Sequence, residues 1–226
     1  MSQSEGGTPE VRDMLGRLPE LAGKAMKYMA ANEAQTLESV AAYSFLQEEF
    51  SHGPVTENHL FQFLYRSFYR MDMAGLRSSF HKEYFRLMEA SRGEKDLDLG
   101  ALVWKLHKAD FNQKPRPSIQ FSFVTKLAHT VNPNVHPIYD SEIAKVFTFR
   151  QPQGTKPETR LERYLSFYTT LKSVYEEILH GEMLTDQIRT FCDQYVKPGE
   201  TLPSMKIIDF IFWSAGKAIR DDEKKD

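Results

Sequence analysis

Cysteine is nearly missing from these 226 residues, and Cys192 stands alone. A single thiol cannot close an internal disulfide, build a Cys-based zinc site or supply the four thiolates of an iron–sulfur cluster. Long apolar runs are missing too. A stretch such as IIDFIFW (207–213) falls far short of the roughly 20 residues that cross a bilayer, and the opening MSQSEGG has neither the basic nor the apolar region of a secretory signal. These absences lead to the expectation of a cytoplasmic protein with no membrane segment. There is no excess of one charge: the formal net charge of −2 argues against a protein that coats nucleic acid by overall charge. None of the seven histidines forms an H-E-x-x-H or another ligand pair at i, i+4 spacing, and neither a Gly-rich phosphate loop nor a G-x-S-x-G turn is found. No metal and no other cofactor are expected.

What is present is a sequence of ordinary globular composition, 41% hydrophobic and 27% charged, with the means to bury a substantial core. Its charge is unevenly spread. Between Ala101 and Tyr139 stand Lys105, Lys108, Lys114, Arg116 and Lys126 against the one acid Asp110, so the acidic excess lies elsewhere.

Helical periodicity runs through the chain. After a Ser- and Gly-rich start, expected to be disordered over residues 1–8, VRDMLGRLPELAGKAMKYMAA spaces its apolar residues at three- and four-residue steps, with a break at Pro19. TLESVAAYSFLQEEF (36–50), ENHLFQFLYRSFYRM (57–71), LRSSFHKEYFRLMEASR (76–92) and LDLGALVWKLHKA (97–109) continue the pattern. FNQKPRPS (111–118) cannot be helical, because Pro115 and Pro117 remove donors and push their predecessors out of helical geometry. RLERYLSFYTTLKSVYEEILHG, MLTDQIRTFCDQYV and PSMKIIDFIFWSAGKAI are the last helices, and no segment alternates like a strand. The expected fold is all-α, with nine to eleven helices, as one helical domain of two packed lobes over 9–226. In the last segment, Asp209 and Lys217 bracket an apolar helix with Trp213 as an anchor and an Ala215–Gly216 pair suited to close packing.

The segment SFVTKLAHTVNPNVHPIYDSEIAKVF (122–147) reads as a helix, a Pro-punctuated elbow and a second helix opening on Asp140. Pro133 and Pro137 forbid a continuous helix, and Asp140, Ser141 and Glu142 put acceptors and negative charge where a helix start has free N–H groups. A capping role for Asp140 follows from this alone. His129 and His136 flank the elbow, either lining a cleft or as polar surface histidines. The aromatic run FQFLYRSFYRM could stack on an unpaired base, although at helical spacing such residues more often form core.

An aspartate at a helix start, preceded by a proline and an apolar pair as in PIYDSEI, and reached from an upstream helix through a Pro-containing turn, resembles the segment around the catalytic aspartate of the helix-hairpin-helix DNA glycosylases. The matching region is roughly 97–150. The resemblance implies a two-lobed helical fold, duplex DNA as partner, and a nucleotide flipped from the helix while the aspartate stabilises an oxocarbenium-like sugar. Asp140 is the residue carried over. Where strand-cleaving members have a lysine about 18 positions before the aspartate, this chain has Ser122, and Lys126 lies one turn further along the same helix face. Where the family has a Gly-rich hairpin of the form L-P-G-V-G, this chain reads KPRPSIQ, in which Lys114, Arg116 and Ser118 would meet phosphate with side chains in place of backbone N–H groups.

The expected function is therefore DNA binding, with Asp140 and Lys126 as candidate catalytic groups and Lys114, Arg116, Ser118 and Ser122 as candidate DNA contacts. The activity implied is that of a monofunctional base-excision glycosylase. The alternative is a non-catalytic helical module for DNA or a protein partner, derived from the same fold.

Overall fold

The computed structural model describes residues 8–108, 119–153 and 156–225. Within them the secondary structure is entirely helical: α1 (Pro9–Gly16), α2 (Leu18–Ala31), α3 (Glu33–His52), α4 (His59–Phe68), α5 (Ser78–Ala90), α6 (Leu99–Lys108), α7 (Phe121–Val131), α8 (Ser141–Val146), α9 (Pro157–His180), α10 (Thr185–Tyr195) and α11 (Ser204–Asp222), with a 3-10 turn at Met71–Ala74. The all-α expectation is met in these residues. The expected disordered start (except Thr8) and the KPRPS loop lie outside the described residues.

Local chemistry explains the boundaries. Pro19 sits in the first turn of α2, where its missing N–H costs nothing, so the break falls at Arg17 rather than at the proline. Asn58 starts α4 by accepting the N–H of Phe61 at 2.9 Å, and Asp98 does the same for Ala101 ahead of α6, also at 2.9 Å. Gly93 follows α5 with φ of 80°, a conformation that glycine adopts without strain.

The chain divides into two compact units. The first gathers Met1–Glu33, Asp140–Gln151 and Ser166–Asp226; the second holds Ala34–Tyr139 and Pro152–Leu165. In the first unit α2 and α8 pack along α11, whose residues Met205–Phe212 and Ser214–Gly216 are all buried. The face of α2 that meets it carries Leu21, Ala22, Ala25 and Met29, in helical register, and its two alanines permit close approach.

The second unit is built on aromatic packing. Phe61, Tyr65, Tyr84 and Phe85 are all at most 1% exposed. Tyr65 and Tyr84 share a hydrogen bond of 3.0 Å, the Tyr65 hydroxyl also meets Thr130 Oγ1 at 3.2 Å, and the Tyr84 hydroxyl donates to the carbonyl of Phe123 at 2.8 Å. Such partners offset the cost of burying a phenol. Burial drives both hydroxyls well above the usual tyrosine range, so they stay protonated and able to donate.

Candidate functional site

Asp140 has extended backbone geometry (φ −148°, ψ −175°) and stands immediately before α8. Its Oδ1 accepts two backbone N–H groups, from Glu142 at 2.9 Å and from Ile143 at 3.0 Å. These are the donors that a helix start leaves without partners, so the capping expectation is met. Both bonds fall on one oxygen. Among the described residues Oδ2 receives no hydrogen bond, and the residue is half-buried.

The helix behind Asp140 is short and is held from outside. Glu142 is buried, and its Oε1 receives Arg220 at 2.5 Å with Lys217 at 3.5 Å, both from α11. Gly216 lies against the Glu142 backbone: a Cβ there would overlap the carbonyl oxygen and come within 2.8 Å of the carbonyl carbon. This is the close packing that the Ala215–Gly216 pair suggested. Phe147 completes the clamp, edge-on to Phe212 at 5.6 Å. Trp213 is half-buried, with the Lys217 ammonium 4.6 Å from its ring.

Nearer the start of α11, Lys206 and Asp209 form an ion pair of 2.7 Å with side chains only 4% and 6% exposed. The Lys206 ammonium also sits 4.4 Å from the Phe210 ring. Tyr175 of α9 is fully buried in the same unit, and its hydroxyl makes no hydrogen bond of good geometry. Desolvation raises its pKa well above the ordinary phenol value, and the negative charges of Asp209 and then Asp140 push it the same way. Tyr175 is therefore a neutral phenol. Such a group can hold a proton donor against an anion without adding charge to the site.

Sequence reading did not bring Lys206, Tyr175 and Asp209 together. The signal for two of them was present: a lysine and an aspartate three residues apart on an otherwise apolar helix occupy one face, and charged residues there are rarely buried unless paired. Tyr175 gave no such signal, since it is one of several aromatic residues on the apolar side of α9.

The other sequence-derived residues lie in the second unit. Ser122 is half-buried in the first turn of α7, and its carbonyl accepts the Thr125 hydroxyl at 3.0 Å. Thr125 Oγ1 in turn accepts the Tyr139 N–H at 3.1 Å and pins the end of the elbow to α7. Lys126 is 8% exposed, with its ammonium 5.2 Å from the Phe123 ring and 5.5 Å from that of Tyr69. Asp140 thus belongs to one unit and both Ser122 and Lys126 to the other. Lys114, Arg116 and Ser118 lie outside the described residues.

His129 and His136 are not surface residues, at 0% and 1% exposed. His129 Nδ1 lies 2.7 Å from the carbonyl of His136, which can only accept, so the proton is on Nδ1. In the neutral ring Nε2 then accepts from the Tyr43 hydroxyl at 3.1 Å. This ring ties the elbow to α3. His136 Nε2 accepts the N–H of Leu97 at 3.3 Å and lies 3.4 Å from Asp96.

Among the described residues no three His, Cys, Asp or Glu side chains are placed to hold a metal ion, and no helix is long and apolar enough to cross a membrane. No protein-family profile, curated protein or solved structure matches this chain.

Proposed function

We propose that this chain binds duplex DNA and hydrolyses the N-glycosidic bond of a flipped base, as the helix-hairpin-helix glycosylases do, with Asp140 as the essential carboxylate. The observation that carries this reading is the division of labour on Asp140: Oδ1 is used by the backbone of α8, and Oδ2 has no donor among the described residues. A carboxylate fixed through one oxygen can present the other to a cationic sugar at little cost in ordering.

In the reaction the C1′–N bond breaks with its electron pair leaving on the base, which takes up a proton. Positive charge builds at C1′, where the Asp140 carboxylate opposes it, and a water oxygen bonds to C1′ while its proton passes to the carboxylate or to solvent. Lys126 is not needed for this route. Its ammonium lies near two aromatic rings in the second unit, and Ser122 occupies the position where strand-cleaving relatives carry their lysine, which fits base removal without strand cleavage.

A panel of duplexes carrying oxidised, alkylated or deaminated bases tests the proposal. Excision should be seen on at least one substrate and be lost in Asp140→Asn, and inactivity of the wild-type protein on every substrate removes the enzyme. The second reading, a non-catalytic module for DNA or a protein partner, has its own support in the structural task Asp140 already performs. Binding to undamaged duplex measured against salt separates its two forms, because phosphate contacts give a steep negative slope.

A further inference from the structure

A pocket of about 600 Å³ opens in the first unit between α1, the segment after α8, and α9. Its size is that of a site for a drug-sized ligand. One wall is aromatic: Phe149 stacks on Phe167 at 4.1 Å with an interplanar angle of 17°, and Phe147 meets Phe167 edge-on at 5.6 Å. All three rings are half-buried and keep exposed surface.

The backbone is strained to build this wall. Thr148 has φ of 53°, the left-handed region that a β-branched residue rarely enters. It closes α8 in the position usually taken by glycine, with its own N–H donating to Lys145 at 3.0 Å and the Phe149 N–H donating to Ala144 at 2.8 Å. Reversing the chain there carries Phe149 onto Phe167. Strain of this kind tends to be kept where it shapes a working surface.

The opposite wall is polar in both senses. Glu10 and Asp13 lie on one face of α1, Arg17 follows at the break after it, and Arg150 stands beside the aromatic wall. Among the described residues Glu10, Asp13, Arg17 and Arg150 take part in no ion pair, so the pocket offers two carboxylate acceptors and two guanidinium donors not engaged with one another. Acceptors, donors and a flat apolar wall in one pocket call for a planar ring with both kinds of group on its edge. Guanine has this pattern: O6 and N7 accept from a guanidinium, and N1–H and the exocyclic amine donate to a carboxylate. The remaining guanidinium suits a phosphate.

We propose that this pocket binds a free guanine nucleotide, with the base against Phe149 and Phe167, its donors on Asp13, and its acceptors and phosphate shared between Arg17 and Arg150. The site is built within the first unit and does not depend on Asp140 acting as a catalyst.

Calorimetric titration of the full chain with GMP, AMP, guanosine and inorganic phosphate tests it. GMP should bind saturably at one site, at least tenfold more tightly than AMP. Arg17→Gln, a surface change that leaves the core intact, should weaken GMP at least tenfold, and Asp13→Asn should remove most of the preference for GMP over AMP. Phe149→Leu, which keeps an apolar side chain, should weaken guanosine and GMP alike. No saturable GMP binding by the wild-type protein at millimolar concentration overturns the proposal. So does GMP binding that these variants leave unchanged, or that phosphate alone reproduces.

Discussion

Gly216 of α11 rests directly on the backbone carbonyl of Glu142 in α8. No side chain fits between them, because even a methyl group would overlap backbone atoms that cannot swing aside. Gly216→Ala should therefore destabilise the protein by about 1–3 kcal/mol, as over-packing at a rigid contact does. A urea unfolding midpoint equal to wild type would mean that α8 can retreat from α11 freely.

Asp140 joins two roles that substitution can part. Asp140→Ala removes the cap and should cost about 1 kcal/mol of stability, whereas Asp140→Asn keeps an oxygen for the N–H groups of Glu142 and Ile143 and should stay near wild type. If excision is found, both variants should lack it. Retained excision in Asp140→Asn at normal stability would exclude the carboxylate from the chemistry.

The ion pair of Lys206 and Asp209 is almost sealed from water, so its halves depend on one another. Lys206→Met leaves a buried carboxylate without its ammonium and should cost about 3–5 kcal/mol, with most of that loss recovered when Asp209→Leu is added. Thermal or urea unfolding of the two singles and the double gives the comparison. Independent, additive losses would contradict a coupled pair.

Stability should fall between pH 7 and 5 partly through His81. Its side chain is 12% exposed; burial first, and the nearby Arg66 second, lower its pKa from the ordinary value of about 6.5, against a smaller opposing pull from Asp72. The unfolded chain thus binds the proton more readily. The stability His81 gives when neutral is complete above about pH 6.5 and is lost as pH falls through its lower folded value. In His81→Gln, the drop in unfolding free energy from pH 7 to 5 should be shallower than in wild type, and a parallel profile would assign the pH dependence elsewhere.

Thr148→Gly should stabilise the fold by about 1 kcal/mol, since glycine adopts the left-handed conformation without strain. A loss of stability would place the value of Thr148 in its side chain and not in its backbone.

The helices could be read from the sequence because their apolar residues recur at the helical period, and Asp140 could be read as a cap because a proline-bounded helix start needs an acceptor there. The buried polar groups could not. His129 could be read as lining a cleft or as a surface residue, but not as buried, because one of the groups that satisfy it, the Tyr43 hydroxyl, is 86 positions away. Lys206 and Asp209 were visible as charges, but their shared burial depends on how α11 is surrounded. Two lobes were expected, but which stretches make up each unit was hidden, since the first is assembled from three separate stretches of chain.

That assembly has a consequence for synthesis. On the ribosome α2 emerges long before α11, the helix that covers its apolar face. Until then Leu21, Ala22, Ala25 and Met29 have no native surface to close against. The first unit is completed only through contacts very distant in sequence, which is the slow and aggregation-exposed way to fold, while the second can gather most of its helices as they appear.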